Sequence, residues 1–186
     1  MSRLSRRTVV PALLVLVIVA GIGLSFFQPW KAFTDTTVNE ALPTASQSMA
    51  GQEMKGKNGM KSGEPSAKDM GPREVAEGNF VSHEHGTSGM ARTVRLADGG
   101  QVLRLEDLKT SEGPDVRVYL SPRGADAVKA GLGDGAVQLG KLKGNRGNQN
   151  YSVPAGTDLS KFRSAVIWCE RFSVSFGAAD LAPAKG

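Results

Sequence analysis

From Gly78 onward the chain is a succession of short apolar or alternating runs, each cut off by turn-forming residues, which is the pattern of strands. Asn79-Phe80-Val81 opens the series, and Met90 to Leu96 follows. Asp98-Gly99-Gly100 separates that run from Val102-Leu103-Arg104-Leu105 and predicts a hairpin. Gly113-Pro114-Asp115 is a turn before Val116-Arg117-Val118-Tyr119-Leu120, which alternates with period two and stops at Pro122. Ala125 to Ala130 reads as one helical turn. Val137 to Leu142, an Asn/Gly loop from Gly144 to Asn150, and Tyr151-Ser152-Val153-Pro154 come next. Ala165 to Phe176 is the longest strand signal, and Pro183 closes the domain. Short strands with turns between them argue an all-β fold, a sandwich or a barrel. A stretch of about 105 residues is enough to bury one core. It does so without an internal disulfide, because the chain has one cysteine.

The N-terminus is of another kind. Arg3, Arg6 and Arg7 precede nineteen uncharged residues from Val9 to Phe27. As a helix this run is about 28 Å long, close to the thickness of a bilayer core. Residues 1–31 are therefore expected to be a single-pass transmembrane helix in the cell membrane. Its N-terminus is cytoplasmic and the following domain extracytoplasmic, by the position of the arginines. Trp30 and Lys31 sit where interfacial anchors belong. A cleaved signal peptide is the rival reading, and Ser5-Arg6-Arg7 gives a partial twin-arginine pattern. The run is longer than an ordinary signal core, however, and no A-x-A site follows it.

Residues 32–76 read as a flexible, disordered linker. They are rich in Ser, Thr, Gly, Lys and Glu, carry Pro43, Pro65 and Pro72, and show no apolar period. As a coil they reach several nanometres from the membrane. Met49, Met54, Met60 and Met70 lie here, but their irregular spacing makes a poor Cu(I) site. The net charge of +5 is mostly a topology signal. Residues 1–31 carry four bases and no acid, whereas residues 78–186 carry fourteen bases and eleven acids. No basic stripe for nucleic acid results.

Cys169 is the residue with the most chemistry. A lone cysteine in an exported domain is paired between chains, reactive, or sealed in a core. Alternation along the last run puts Val166, Trp168, Phe172, Val174 and Phe176 on one face, and Ile167, Cys169 and Arg171 on the other. Residues 165–169 are apolar on both faces, so this strand is expected to be central and covered on both sides. Glu170 falls on the aromatic face, and a bulge near Glu170-Arg171 would resolve that conflict. Arg171, two residues on, shares the cysteine's face and favours its thiolate, while burial opposes it. His83-Glu84-His85 holds both histidines, which a strand would place on one face as a metal pair. Two imidazoles are too few ligands, and no metal is assigned. C-x-x-C-H is absent, so covalent c-type haem is excluded by that route. The aspartates Asp98, Asp107, Asp115, Asp126 and Asp134 lie in turns. No base–nucleophile pair, serine elbow or phosphate loop marks an independent enzyme.

The order of several pieces resembles the electron-transfer DM-thirteen domain family. They are Gly78-x-Phe80, His85-x-x-Ser88-Gly89, Leu103-x-Leu105-Glu106-Asp107-Leu108 and Gly113-Pro114-Asp115-Val116-x-Val118-Tyr119-Leu120-Ser121. Leu139-Gly140-x-Leu142-Lys143-Gly144-Asn145-x-Gly147-x-Gln149-x-Tyr151 follows. The most specific piece is Val166-Ile167-Trp168-Cys169-x-x-Phe172-x-Val174-x-Phe176-Gly177-x-Ala179-x-Leu181. The resemblance covers about residues 77–182 and implies a β-rich extracytoplasmic module. It implies that Cys169 acts in redox as a bare thiol or holds a prosthetic group such as haem, and His85 matches a family position; from the residues themselves, Trp168 is expected beside the cysteine and Arg171 as modulator of its thiolate. The expected function is a membrane-anchored redox or electron-transfer module with an unidentified redox partner or ligand. The alternative is a cell-surface binding module with Cys169 as core packing.

Overall fold

The computed structural model describes residues 14–23, 34–43 and 71–184. Among the described residues ten strands make up one sheet. They are β1 (Thr37–Asn39), β2 (Arg73–Ser82), β3 (Ser88–Arg95), β4 (Gln101–Lys109), β5 (Val116–Ser121), β6 (Val137–Lys141), β7 (Arg146–Ser152), β8 (Ser164–Cys169), β9 (Val174–Asp180) and β10 (Ala182–Pro183). Their order is β1-β7-β4-β3-β2-β9-β8-β5-β6, with β10 against β2. Only β1 and β7 run parallel; every other pair is antiparallel.

The sheet curls into a half-barrel. β6 and β7 stand far apart in the strand order, yet residues 142–145 join them. Leu142 N–H donates to the Val116 carbonyl at 2.9 Å, and Lys143 N–H to the Tyr151 hydroxyl at 3.0 Å, so β7 is drawn back toward β5 and β6. The expected all-β class holds, and of the two expected forms, sandwich or barrel, the single curled sheet is the barrel-like one. The expected β3–β4 hairpin forms around Asp98-Gly99-Gly100. Gly99 takes φ +84°, and the Asp98 carboxylate accepts from Gly100 N–H at 2.8 Å.

The concave side holds one core cluster of fifteen buried residues, including Leu103, Leu105, Leu108, Ile167, Cys169 and Phe176. A second cluster lies on the opposite face of β5, β8 and β9. There the 3-10 turn Asp126–Ala130, which realises the expected helical turn, covers Tyr119, Val166, Trp168 and Ala178 with Val128. β8 is thus buried along its whole length, as its two apolar faces predict. Gly78 allows β2 to pass from β3 to β9, because a Cβ there would lie 1.8 Å from the Asp180 carbonyl oxygen.

Three expectations differ from the structure. The run Ala165 to Phe176 is a hairpin and not one strand. Cys169 pairs with Val174, and Glu170 to Ser173 form the turn, with Ser173 at φ +52°. The irregularity in this ladder falls between Ile167 and Trp168. A charged pair followed by Phe172, which is 54% exposed, is turn chemistry placed between two apolar runs. The Asn/Gly stretch expected as a loop is mostly β7. The buried Gln149 side chain donates to the Gly144 carbonyl at 2.6 Å, so its amide serves the turn and leaves the backbone to the ladder. Part of the expected linker is ordered as well. Thr37–Asn39 pairs with Arg146–Asn148, and β2 begins at Arg73.

Residues 14–23 are helical, and Leu14, Val15, Leu16, Val17, Ile18, Val19 and Ile22 are exposed. Among the described residues no helix is long and apolar enough to cross a membrane. The flanks of the expected span, 9–13 and 24–27, lie outside the described residues, as do the four linker methionines.

Candidate functional site

Cys169 ends β8 on the concave face, with no exposed surface and no disulfide. Its cross-strand partners are Val116 on β5 and Val174 on β9. Both pack with it in the inner cluster, alongside Phe176. Gly113 lets this end close tightly, since a Cβ there would stand 2.8 Å from Val116 Cγ2 and 3.0 Å from Phe176 Cζ. Next to it lies a cleft of about 250 Å³ whose wall includes Thr36, Glu112, Asp115, Val116, Lys141 and Asn145. Val116 belongs to both the cleft wall and the cluster that holds the thiol, and it is the cross-strand partner of Cys169.

The cleft mouth is charged. Arg117 hydrogen-bonds the Asp115 carboxylate at 2.9 and 3.1 Å and holds it below the usual carboxylate range; the charges of Lys141 and Arg171 act in the same direction. Arg171 sits exposed in the β8–β9 turn. Its expected placement on the cysteine's face, two residues along one strand, fails because the chain turns at Glu170. Trp168 points away from the thiol into the outer cluster, where it is 6% exposed. Beside it the Tyr119 hydroxyl bonds the Glu170 carboxylate and Gln138 Oε1. Burial first, then that carboxylate, pushes the phenol up to about 12.

His85 meets the site indirectly. Its ring packs on Phe176 with centroids 3.8 Å apart. His83 faces elsewhere: its Nδ1 lies 2.7 Å from Ser175 Oγ, and its Nε2 is enclosed without a hydrogen-bond partner. Burial, reinforced by the charge of Lys129, holds the His83 pKa below its ordinary value. Residues 83–85 form a bend and not a strand, so the two imidazoles do not share a face. Among the described residues no group of three or more His, Cys, Asp or Glu is placed to hold a metal.

A haem on Cys169 would need an open apolar slot of several hundred Å³, roughly, beside the sulfur. The sulfur instead belongs to a cluster filled by side chains and lines neither of the two clefts described. A haem ligated by Cys169 does not fit this arrangement.

Sequence reasoning passed over Thr87. Its buried hydroxyl spans the Phe176 carbonyl at 3.1 Å and the Thr110 hydroxyl at 2.9 Å. A Cβ at Gly177 would come within 2.6 Å of it. The signal was available in the glycine that follows Phe176, since a glycine inside a strand marks a close approach.

The fold and this site define a small β-domain that carries a single enclosed thiol behind a charged cleft. The chain belongs to the family described as Electron transfer DM13, whose model matches residues 79–181. That membership points to a redox or electron-transfer role. No curated protein and no solved structure matches the chain.

Proposed function

We propose that the chain is a membrane-anchored, extracytoplasmic electron-transfer module in which Cys169 is the redox-active group. The observation that carries this reading is the position of Val116, which pairs with Cys169 in an electron-transfer family domain and also lines a cleft. The anchor is supported by the helix at residues 14–23, whose large apolar side chains are exposed, and by the arginines ahead of it.

One thiol cannot complete a dithiol cycle alone, so the partner is a protein or small-molecule disulfide. The enclosed sulfur meets water and partner when this end of β5 opens locally; Cys169 then loses its proton to water, and its sulfur attacks one sulfur of the partner disulfide. The partner S–S bond breaks and the other partner sulfur leaves as a thiolate, giving a mixed disulfide. A second thiol then attacks the partner sulfur of that bond and frees the Cys169 thiolate. The partner sulfur that left is reduced to a thiolate, the incoming thiol sulfur takes its place in the disulfide, and Cys169 ends as it began. Lys141 and Arg171 act electrostatically on the Asp115 carboxylate in the cleft wall, where they are available to an acidic partner. Trp168 and His85 hold the walls, one behind β8 and one behind Phe176.

Thiol titration of the native full chain tests this. Val116→Ala is expected to label faster than wild type while melting as a folded protein. If both label only at the rate of global unfolding, the redox role of the thiol is lost. The second reading then stands, a cell-surface binding module with Cys169 as packing. The absence of any exposed surface on the sulfur is the observation that favours it.

A further inference from the structure

The chain has two tyrosines, and they are held in opposite ways. Tyr119 lies on the outer face of β5, where its ring is enclosed with Val128, Val166, Trp168 and Ala178. Its hydroxyl donates to the Glu170 carboxylate. Glu170 N–H donates to the Asp115 carbonyl at 2.9 Å, which fixes that carboxylate against β5. Gln138 Oε1 also lies 2.8 Å from the hydroxyl, but it accepts from Arg117 at 2.7 Å. The phenol has one proton, and the carboxylate is the stronger acceptor, so the proton faces Glu170. Tyr151 is buried in the inner cluster. It donates to Gln149 Oε1 at 2.7 Å and accepts from Lys143 N–H at 3.0 Å. An amide oxygen does not take up its proton at neutral pH.

The setting of Tyr119 suits the loss of one electron. A phenol gives up an electron readily when a base already holds its proton in a hydrogen bond, because the proton then leaves with the electron. Burial first, and then Glu170, keep this phenol protonated, so no phenolate competes as the electron donor. The aliphatic walls keep water off the ring. The hydroxyl end is nevertheless close to solvent, since Gln138 is exposed and Glu170 half-buried.

We propose that Tyr119 and Glu170 form a one-electron redox site whose co-substrate is a high-potential one-electron oxidant, a metal complex or an inorganic radical, that meets the domain at Gln138 and Glu170. One electron passes from the Tyr119 phenol to the oxidant, which is reduced by one electron. The phenolic O–H bond breaks and its proton moves to the Glu170 carboxylate. A neutral phenoxyl radical remains beside a carboxylic acid. One electron from an enediol-class reductant, with return of that proton, restores the pair. The site lies on the opposite face of the sheet from Cys169, and the proposal does not depend on the thiol.

Flash-generated tris(bipyridine)ruthenium(III) serves as the oxidant on the full-length chain, and the radical is followed by electron paramagnetic resonance and by absorbance. A phenoxyl signal is expected in wild type and in Tyr151→Phe, and its loss in Tyr119→Phe. Glu170→Gln keeps the shape of the side chain but removes the base. Radical formation in that variant should slow by about a hundredfold and should rise with pH, as wild type does not. Wild type should also react more slowly in heavy water, because a proton moves with the electron. The same signal in Cys169→Ala shows that this site stands whether or not the thiol is redox-active. A signal that Tyr151→Phe abolishes and Tyr119→Phe spares overturns the proposal. A rate and pH profile in Glu170→Gln equal to those of wild type overturn it as well, and this arm decides even if Tyr119→Phe fails to fold.

Discussion

Replacing Cys169 with serine and with alanine separates two accounts of what surrounds the sulfur. The side chain is fully enclosed, and its cross-strand neighbours are Val116 and Val174. Alanine removes the sulfur and leaves a small void, at a cost on the order of 1 kcal/mol. Serine fits the space better but carries a hydroxyl into an apolar cluster. An unpaired hydroxyl there costs about 1–3 kcal/mol by comparison with other buried polar substitutions. Serine should therefore be the less stable variant despite its closer shape. For a domain of about 100 residues each kcal/mol moves the melting temperature by roughly 4–8 °C. Thermal and urea melts of the full chain measure the difference. A serine variant as stable as the alanine variant would mean that a polar partner or water reaches the sulfur, which refutes the account of an apolar seal.

Gly78→Ala should destabilise the domain by more than about 2 kcal/mol, since the new Cβ meets backbone at 1.8 Å and β2 must part from Asp180. Gly86→Ala, with open space around it, should change little in the same melts. The strap at residues 34–43 should loosen in acid. Bonds from Arg146 and then Asn145 lower the Asp35 pKa. Burial pushes Glu40 upward, but Lys143 and the Asn150 N–H outweigh it and leave the pKa low. Both groups contribute docking above the ordinary carboxylate range, and that contribution is lost as pH falls through the depressed values. Amide NMR shifts of Glu40 and Arg146 should follow this titration and stay flat in Asp35→Asn/Glu40→Gln. His83 adds a third pH term. Its folded pKa is depressed by burial, so its contribution is present above the ordinary histidine value of 6.5 and fades as pH falls below it. Stability measured from pH 7 downward should lose that slope in His83→Gln.

Much of the β-domain was legible because its strands obey local rules. The Asp98-Gly99-Gly100 turn, the alternation of Val116 to Leu120 and the double-sided burial of β8 each follow from neighbours in sequence. The hairpin at Glu170 was hidden because Phe172 keeps the even-numbered apolar rhythm through a turn, where its ring is exposed. β7 was hidden for the opposite reason. Its Asn and Gln residues read as loop chemistry, yet Gln149 and Asn150 spend their amides on the Gly144 turn and on residues 40–41. The site divides the same way. Burial of Cys169 follows from its strand, whereas its pairing with Val116, which lines the cleft, depends on contact between distant segments.

The docking of β1 changes how far the domain can stray. From residue 23, the end of the described helix, to Thr34 the chain has eleven steps, so even fully drawn out it spans about 40 Å. The stretch 44–70 then adds nothing to the radius of action; it is a detour between two parts of one body. Under the proposed anchoring, the cleft edge bearing Thr36 would be held within that distance of the bilayer, and a partner would have to come to it there.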